Sequence, residues 1–200
     1  MSDRTVAVFD FDGTLTRRDT LLPFLRRTRG APRTSIALLA TSLLLARDRD
    51  AAKEALLQRL LADADVKELQ AAATVFADVV IQRGLRPSML ERVQSHKADG
   101  HELVIVTASP ELYVGPIGER LGFDAVLGTR LETDGNGRLT GRLEGRNCRG
   151  PEKVERLRAW LASDAELYAY GDSSGDRALW EFADHAYRVR RGRLLVVGVS

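Results

Sequence analysis

The chain has 200 residues, enough for one domain with an insertion and for a substantial buried core. Lys and Arg number 30 against 28 Asp and Glu, so net charge gives no ground for nucleic-acid binding. One cysteine, Cys148, excludes an internal disulfide and a cysteine metal cluster, and it fits a reducing, cytoplasmic setting.

Met1-Ser2-Asp3-Arg4 runs into a strand without an apolar signal region, which points the same way. Residues 4–10 read as a buried strand ending at Asp10-Phe11-Asp12-Gly13-Thr14-Leu15. From about Asp19 to about Arg83 the pattern is helical, divided by turn signals at Arg29-Gly30-Ala31-Pro32 and Arg47-Asp48-Arg49-Asp50. A helix over 88–98 follows, then a second buried strand, Glu102 to Thr107. Ser109-Pro110-Glu111 opens another helix, with Ser109 as its N-cap. A short strand at 125–128 precedes a hairpin turning at Asp134-Gly135-Asn136-Gly137. Gly150-Pro151 starts a helix with an apolar face of Val154, Leu157, Trp160 and Leu161. Leu167 to Tyr170 is a strand ending in Gly171-Asp172, and a helix near 177–183 leads to a last strand at 186–189.

Strands alternating with helices predict an α/β fold: a doubly wound, mostly parallel Rossmann-like sheet with a β-hairpin. The helical block 16–84 is several times too long for one crossover helix. It predicts an all-helical cap over the carboxyl ends of the strands, leaving 1–15 and 85–200 as the core.

Two acidic groups at the end of a buried strand lie where open α/β sheets do their chemistry. Held this close, they require a cation or a shared proton. A nucleophilic carboxylate beside a partner acid, over a divalent metal, moves phosphoryl groups. One DxD alone reads as a solvated strand end, but three later segments supply the missing parts. Thr107 and the helix start after it offer a hydroxyl and free N–H groups, an anion site. Lys153, in the first turn of its helix, opposes the helix dipole, which points to an anion or carboxylates facing it, although a lysine taken alone reads as a solvated surface residue. Gly171-Asp172-Ser173-Ser174-Gly175-Asp176 adds carboxylates at the same edge. Asp10, Asp12 and Asp172 then provide oxygen ligands and excess negative charge suited to Mg²⁺.

These four segments, in this order and over nearly the whole chain, resemble the haloacid dehalogenase superfamily of phosphatases. The segment 129–150 is similar to its phosphoserine-phosphatase-like branch, which has a small helical cap. The resemblance implies that Asp10 is the nucleophile and forms an aspartyl phosphate. It implies that Asp12 protonates the leaving oxygen and then deprotonates the attacking water. Thr107, the N–H of Ala108 and Lys153 would hold the phosphoryl oxygens. Asp10, the carbonyl of Asp12 and Asp172 would bind Mg²⁺, with Asp176 in support. Asp19 and Arg59 fall near the positions that read the amino and carboxylate groups of phosphoserine. Their structural alternatives are a helix N-cap for Asp19 and a surface arginine for Arg59. Gly13 and Gly175 depart from the phosphoserine-specific pattern, which has Ser and Asn there.

A second resemblance, to phosphatidylglycerophosphatases, rests on the tail 179–189 and on the apolar run 36–46. Arg26, Arg27, Arg29 and Arg33 precede that run, and Arg47 and Arg49 follow it. Such a helix either packs inside the cap or lies on an anionic membrane surface; it is too short to span one. The favoured expectation is a small soluble phosphomonoester of phosphoserine type, with a lipid phosphate as the alternative. A non-catalytic phosphate-sensing or partner-binding domain would have lost a motif, and none is missing. The sequence leaves the oligomeric state open.

Overall fold

The computed structural model describes residues 4–45 and 47–198. Met1-Ser2-Asp3, and Ala46 at the end of the apolar run, lie outside the described residues. The strands in chain order are β1 (Thr5–Phe9), β2 (Glu102–Pro110), β3 (Ala125–Thr129), β4 (Leu131–Thr133), β5 (Leu139–Leu143), β6 (Glu166–Gly171), β7 (His185–Arg190) and β8 (Arg193–Val196). Among the described residues one sheet runs β3-β2-β1-β6-β7-β8, parallel except for the antiparallel edge strand β8. β4 and β5 form a separate antiparallel hairpin.

β1 is apolar on both faces because both faces are covered. Ala7 and Phe9 enter one core with Leu103, Ile105 and Tyr113. Val6 and Val8 enter the other, with Val104, Val106, Leu157 and Leu179. β1 lies between β2 and β6, so successive connections leave it in opposite directions. That makes its carboxyl end the topological switch point of the sheet, where such folds open a crevice.

Among the described residues four α-helices intervene between β1 and α5 (Pro87–Ala98): α1 (Leu21–Arg29), α2 (Ala31–Leu45), α3 (Arg49–Leu61) and α4 (Val66–Arg83). Asp48 and Asp65 cap α3 and α4, each side chain accepting two backbone N–H bonds. The β4–β5 hairpin lies against the end of α3, where Asp63 N–H donates to the Leu139 carbonyl (2.8 Å) and Leu139 N–H to that of Ala64 (2.9 Å). Three helices complete the core: α6 (Glu111–Leu121), α7 (Pro151–Leu161) and α8 (Arg177–Phe182).

Two local expectations change. The chain does not end its sheet at Val189; β7 turns through Arg191 (φ 51°) and Gly192 (φ 81°) into β8. Two consecutive positive φ values make the tight hairpin turn whose twist matches the strands, and an arginine in the first position hid it. Ser109 is not a helix N-cap, because β2 continues to Pro110 and the Ser109 hydroxyl is used elsewhere. The orientation of α2, which the sequence left open, puts small residues inward beside Leu38. Thr34, Ala37 and Thr41 are buried, while Ile36 is 69% and Leu39 77% exposed. The buried hydroxyls of Thr34 and Thr41 donate to the carbonyls of Gly30 and Ala37, four residues back, so they cost little inside.

Candidate active site

The carboxyl ends of β1, β2 and β6 converge on one cavity of about 320 Å³. It gathers Asp10, Asp12, Asp19, Thr107, Ala108, Lys153, Asp172 and Asp176. Arg59 is not among its lining residues; it lies on the exposed side of α3, facing a different cavity with Arg29 and Arg33.

Asp10 is 6% exposed, and its backbone N–H donates to the Tyr170 carbonyl (2.8 Å), which ties the end of β1 to β6. The Thr14 hydroxyl donates to Asp10 Oδ2 (3.0 Å). Lys153 Nζ, on a side chain 2% exposed, donates to Asp10 Oδ1 and to Asp176 Oδ1, both at 2.6 Å. The lysine in the first turn of α7 is therefore a buried cation held between two carboxylates. Burial works against its charge, but Asp10 and Asp176 together hold its pKa above the ordinary value. Asp176 Oδ2 accepts from the N–H groups of Asp172 (3.0 Å) and Ser173 (3.1 Å), which folds the Gly171–Asp176 turn around it.

Asp12 sits in different surroundings. Its Oδ1 accepts from the N–H and hydroxyl of Thr20 (2.9 and 2.8 Å), and its Oδ2 accepts from the Ser109 hydroxyl. Tyr113 OH donates to Ser109 Oγ (2.7 Å) and thereby orients it. Burial, aided by the nearby charge of Asp19, pushes the Asp12 carboxyl up to about 6. Burial pushes Asp10 upward too, against the pull of Lys153. Asp19 lines the cavity and also accepts from Leu21 N–H (3.0 Å), so it serves the helix start and the site together.

Oxygens of Asp10, Asp172 and Asp176 lie within 4.8 Å of one another. Lys153 balances part of this charge, and the Asp172 carboxyl is raised by burial and by Asp176. An all-oxygen donor set with excess negative charge fits a hard divalent cation. The Asp12 carboxylate accepts from Ser109 and Thr20 and is not one of this group.

Sequence reasoning missed Lys53. It lines the cavity, and its Nζ donates to the Ala108 carbonyl, to Asn147 Oδ1 (2.5 Å) and to Thr129 Oγ1 (3.3 Å). Burial lowers its pKa to about 8. A signal was present: positions 53, 56, 57 and 60 share one face of α3, and Leu56, Leu57 and Leu60 on that face are buried. A lysine on a buried apolar stripe points inward, whereas Arg59 falls off it.

Gly13 has φ 81°, and a Cβ there would sit 2.3 Å from Asp172 Oδ2. The side chain absent at this position is what lets the β1 and β6 turns close on each other. Gly13→Ala is expected to destabilise the fold by about 1–2 kcal/mol from backbone strain alone and to displace Asp172. Urea unfolding, read beside phosphate release, checks it; unchanged stability and turnover would show that the two turns need not approach.

The haloacid dehalogenase-like hydrolase model matches residues 7–181. Protein CicA of Caulobacter vibrioides is 41% identical over 195 residues, covering 94% of this chain and 87% of that one. A phosphoserine phosphatase of Archaeoglobus fulgidus is 29% identical over 187 residues, covering 90% of this chain and 51% of that one. A crystal structure of a protein of unknown function from Bordetella pertussis Tohama I superposes with a TM-score of 0.79 at 30% identity, covering 92% and 89% of the two chains. The chain belongs to the haloacid dehalogenase-like hydrolases.

Proposed function

We propose that the protein is a Mg²⁺-dependent phosphomonoesterase working through an aspartyl phosphate on Asp10, with a small soluble phosphomonoester of phosphoserine type as substrate. The observation that carries this reading is the contrast between two neighbouring carboxylates. Asp10 is paired with buried Lys153 at 2.6 Å, whereas Asp12 has no hydrogen-bonded lysine among the described residues and is set by Thr20 and Ser109. Burial pushes both carboxyls up, but at Asp10 the lysine works for the anion that attacks, and Asp12, pushed up to about 6, can carry the proton for the leaving oxygen.

In the first step Asp10 attacks phosphorus, the bond to the ester oxygen breaks, and Asp12 gives that oxygen its proton. In the second, Asp12 takes a proton from water, the water oxygen attacks phosphorus, and Asp10 leaves as free carboxylate with inorganic phosphate. Thr107, the Ala108 N–H and Lys153 hold the phosphoryl oxygens throughout, so the protein's part is positioning and charge neutralisation. Asp10, Asp172 and the carbonyl of Asp12 would hold Mg²⁺, with Asp176 in support. When bound, the ion neutralises the surplus carboxylates and phosphoryl oxygens.

Residues 16–84 form the lid in this reading, and its cavity-facing cation is Lys53. We assign Lys53 the task first expected of Arg59, reading an anionic group beyond the ester. Lys53→Met is expected to raise KM for a carboxylate-bearing phosphomonoester at least about tenfold more than for an aryl phosphate. Equal effects on both would leave Lys53 as a strut between lid and core. The reading as a whole is tested by phosphate release with Mg²⁺ across amino-acid, sugar, nucleotide and lipid phosphomonoesters. Activity that survives complete chelation of divalent ions would remove the metal from it, and preference for the lipid ester would replace the soluble substrate.

A further inference from the structure

We propose that the outer face of α2, with the arginine-lined cavity beside it, is a docking surface for an anionic lipid bilayer. The surface shares no residue with the active-site cavity, so it stands apart from the phosphatase reading.

Three observations carry it. First, α2 exposes three large side chains: Ile36, Leu39 and Leu44 are 69%, 77% and 41% exposed, while Thr34, Ala37 and Thr41 are buried and Leu38 packs against the core. Second, this apolar ridge is set in positive charge. Residues 20–47 hold five arginines (26, 27, 29, 33 and 47) and no Asp or Glu, a local charge of 5 − 0 = +5. Third, ridge and charge meet in one cavity of about 440 Å³, where Arg29, Arg33 and Arg59 face Ile36 and Ala40. Its single carboxylate, Asp63, pairs with Arg138 (3.4 Å). The Nε of Arg29 is buried and has no hydrogen-bond partner among the described residues. A buried charged donor of this kind asks for an acceptor from outside, and a lipid phosphate is one.

The ridge and its surround also select the occupant. A second copy of the chain would bring a second +5 surface against the first, which like-charge repulsion disfavours. An anionic bilayer offers hydrocarbon to the ridge and phosphates to the arginines at once. No helix among the described residues is long and apolar enough to cross a membrane, and α2, with 15 residues, is about 22 Å long. It would lie in the plane of the headgroups.

Co-sedimentation of the whole chain with vesicles tests this. Phosphatidylglycerol–phosphatidylcholine vesicles at about 0.1 M salt should carry the protein down, and phosphatidylcholine alone should not. Raising the salt to about 1 M should release it. Ile36→Ser with Leu39→Ser, and separately Arg33→Glu, should each weaken binding at least about tenfold, with the melting temperature and phosphate release in solution unchanged. All three positions are exposed, so these variants should fold. Absence of binding to phosphatidylglycerol vesicles, equal binding to both vesicle types, or variants that bind like wild type would each overturn the proposal. Sedimentation velocity gives the other outcome. A dimer that the Ile36/Leu39 variant dissolves, with no vesicle binding, would assign the ridge to a second copy and overturn the lipid surface.

Discussion

Asp10→Asn is expected to lower kcat on any good phosphomonoester by about 10⁴-fold or more while leaving the fold intact. The substitution keeps the shape of the side chain; with its carbonyl oxygen toward Lys153, its amide nitrogen can donate to the Thr14 hydroxyl, which in the wild type donates to Asp10. In the proposed mechanism it removes the anionic oxygen that attacks phosphorus. The expected cost in stability is small, for a reason specific to this site. Lys153 loses one of two carboxylate partners but keeps Asp176 at 2.6 Å, so it is not left as a buried unpaired cation. Asp10 is itself a buried carboxylate whose burial and neighbouring Asp176 oppose its charge, so neutralising it relieves part of that repulsion. Urea denaturation and phosphate release on the same preparation check both halves. Wild-type turnover in a folded Asp10→Asn protein would mean that another group is the nucleophile. By contrast, Asp176→Asn removes the carboxylate charge that orders the Gly171–Asp176 turn and takes away Lys153's second ionic partner, so its loss should appear in stability as well as in turnover.

The skeleton of this arrangement was legible in the sequence because it rests on local chemistry. β1 reads as a strand from its continuous apolar run, and its end is marked by Gly13, whose positive φ the turn requires. The hairpin at Asp134–Gly137 and the Pro start of α7 are likewise local signals. What escaped depends on which side of a helix or strand faces the site. Ser109 looked like a cap because Ser-Pro-Glu is a common helix opening. Its role follows from β2 running on to Pro110, beside an Asp12 that no short-range pattern connects to it. Arg59 falls near the family position that reads a carboxylate, but the apolar stripe of α3 places Lys53 inward and Arg59 outward. The composition of α2 identified an apolar helix but not its orientation. Thr34 and Thr41 can be buried only because each hydroxyl returns a hydrogen bond to its own helix.

Asp12→Asn should separate the two half-reactions, and the separation should depend on the leaving group. An alkyl ester needs its departing oxygen protonated. An aryl ester such as p-nitrophenyl phosphate does not, because its phenolate is stable. The variant should therefore lose about 10²–10⁴-fold in kcat/KM on an alkyl phosphomonoester, the range general acid catalysis supplies, and much less on the aryl ester. The second half-reaction loses its base whichever ester is used. With p-nitrophenyl phosphate the variant should release a burst of nitrophenolate equal to the enzyme present and then turn over slowly, with Asp10 left phosphorylated. The pH dependence has a definite shape. In the proposed mechanism Asp12 begins protonated and Asp10 ionised; burial pushes Asp10 up to about 8 and Asp12 up to about 6, so wild-type kcat/KM on the alkyl ester should rise and then fall with pH, the alkaline limb reporting loss of the Asp12 proton. That limb should be missing in the variant. The hydrogen bonds from Thr20 and Ser109 to the Asp12 oxygens survive in part with an amide, so the geometry around Asn at this position should hold. Equal losses on both esters without a burst would show that Asp12 handles no proton at the leaving group. The acid would then have to be sought among the other groups lining the cavity, beginning with Lys53, whose pKa of about 8 keeps a transferable proton within reach.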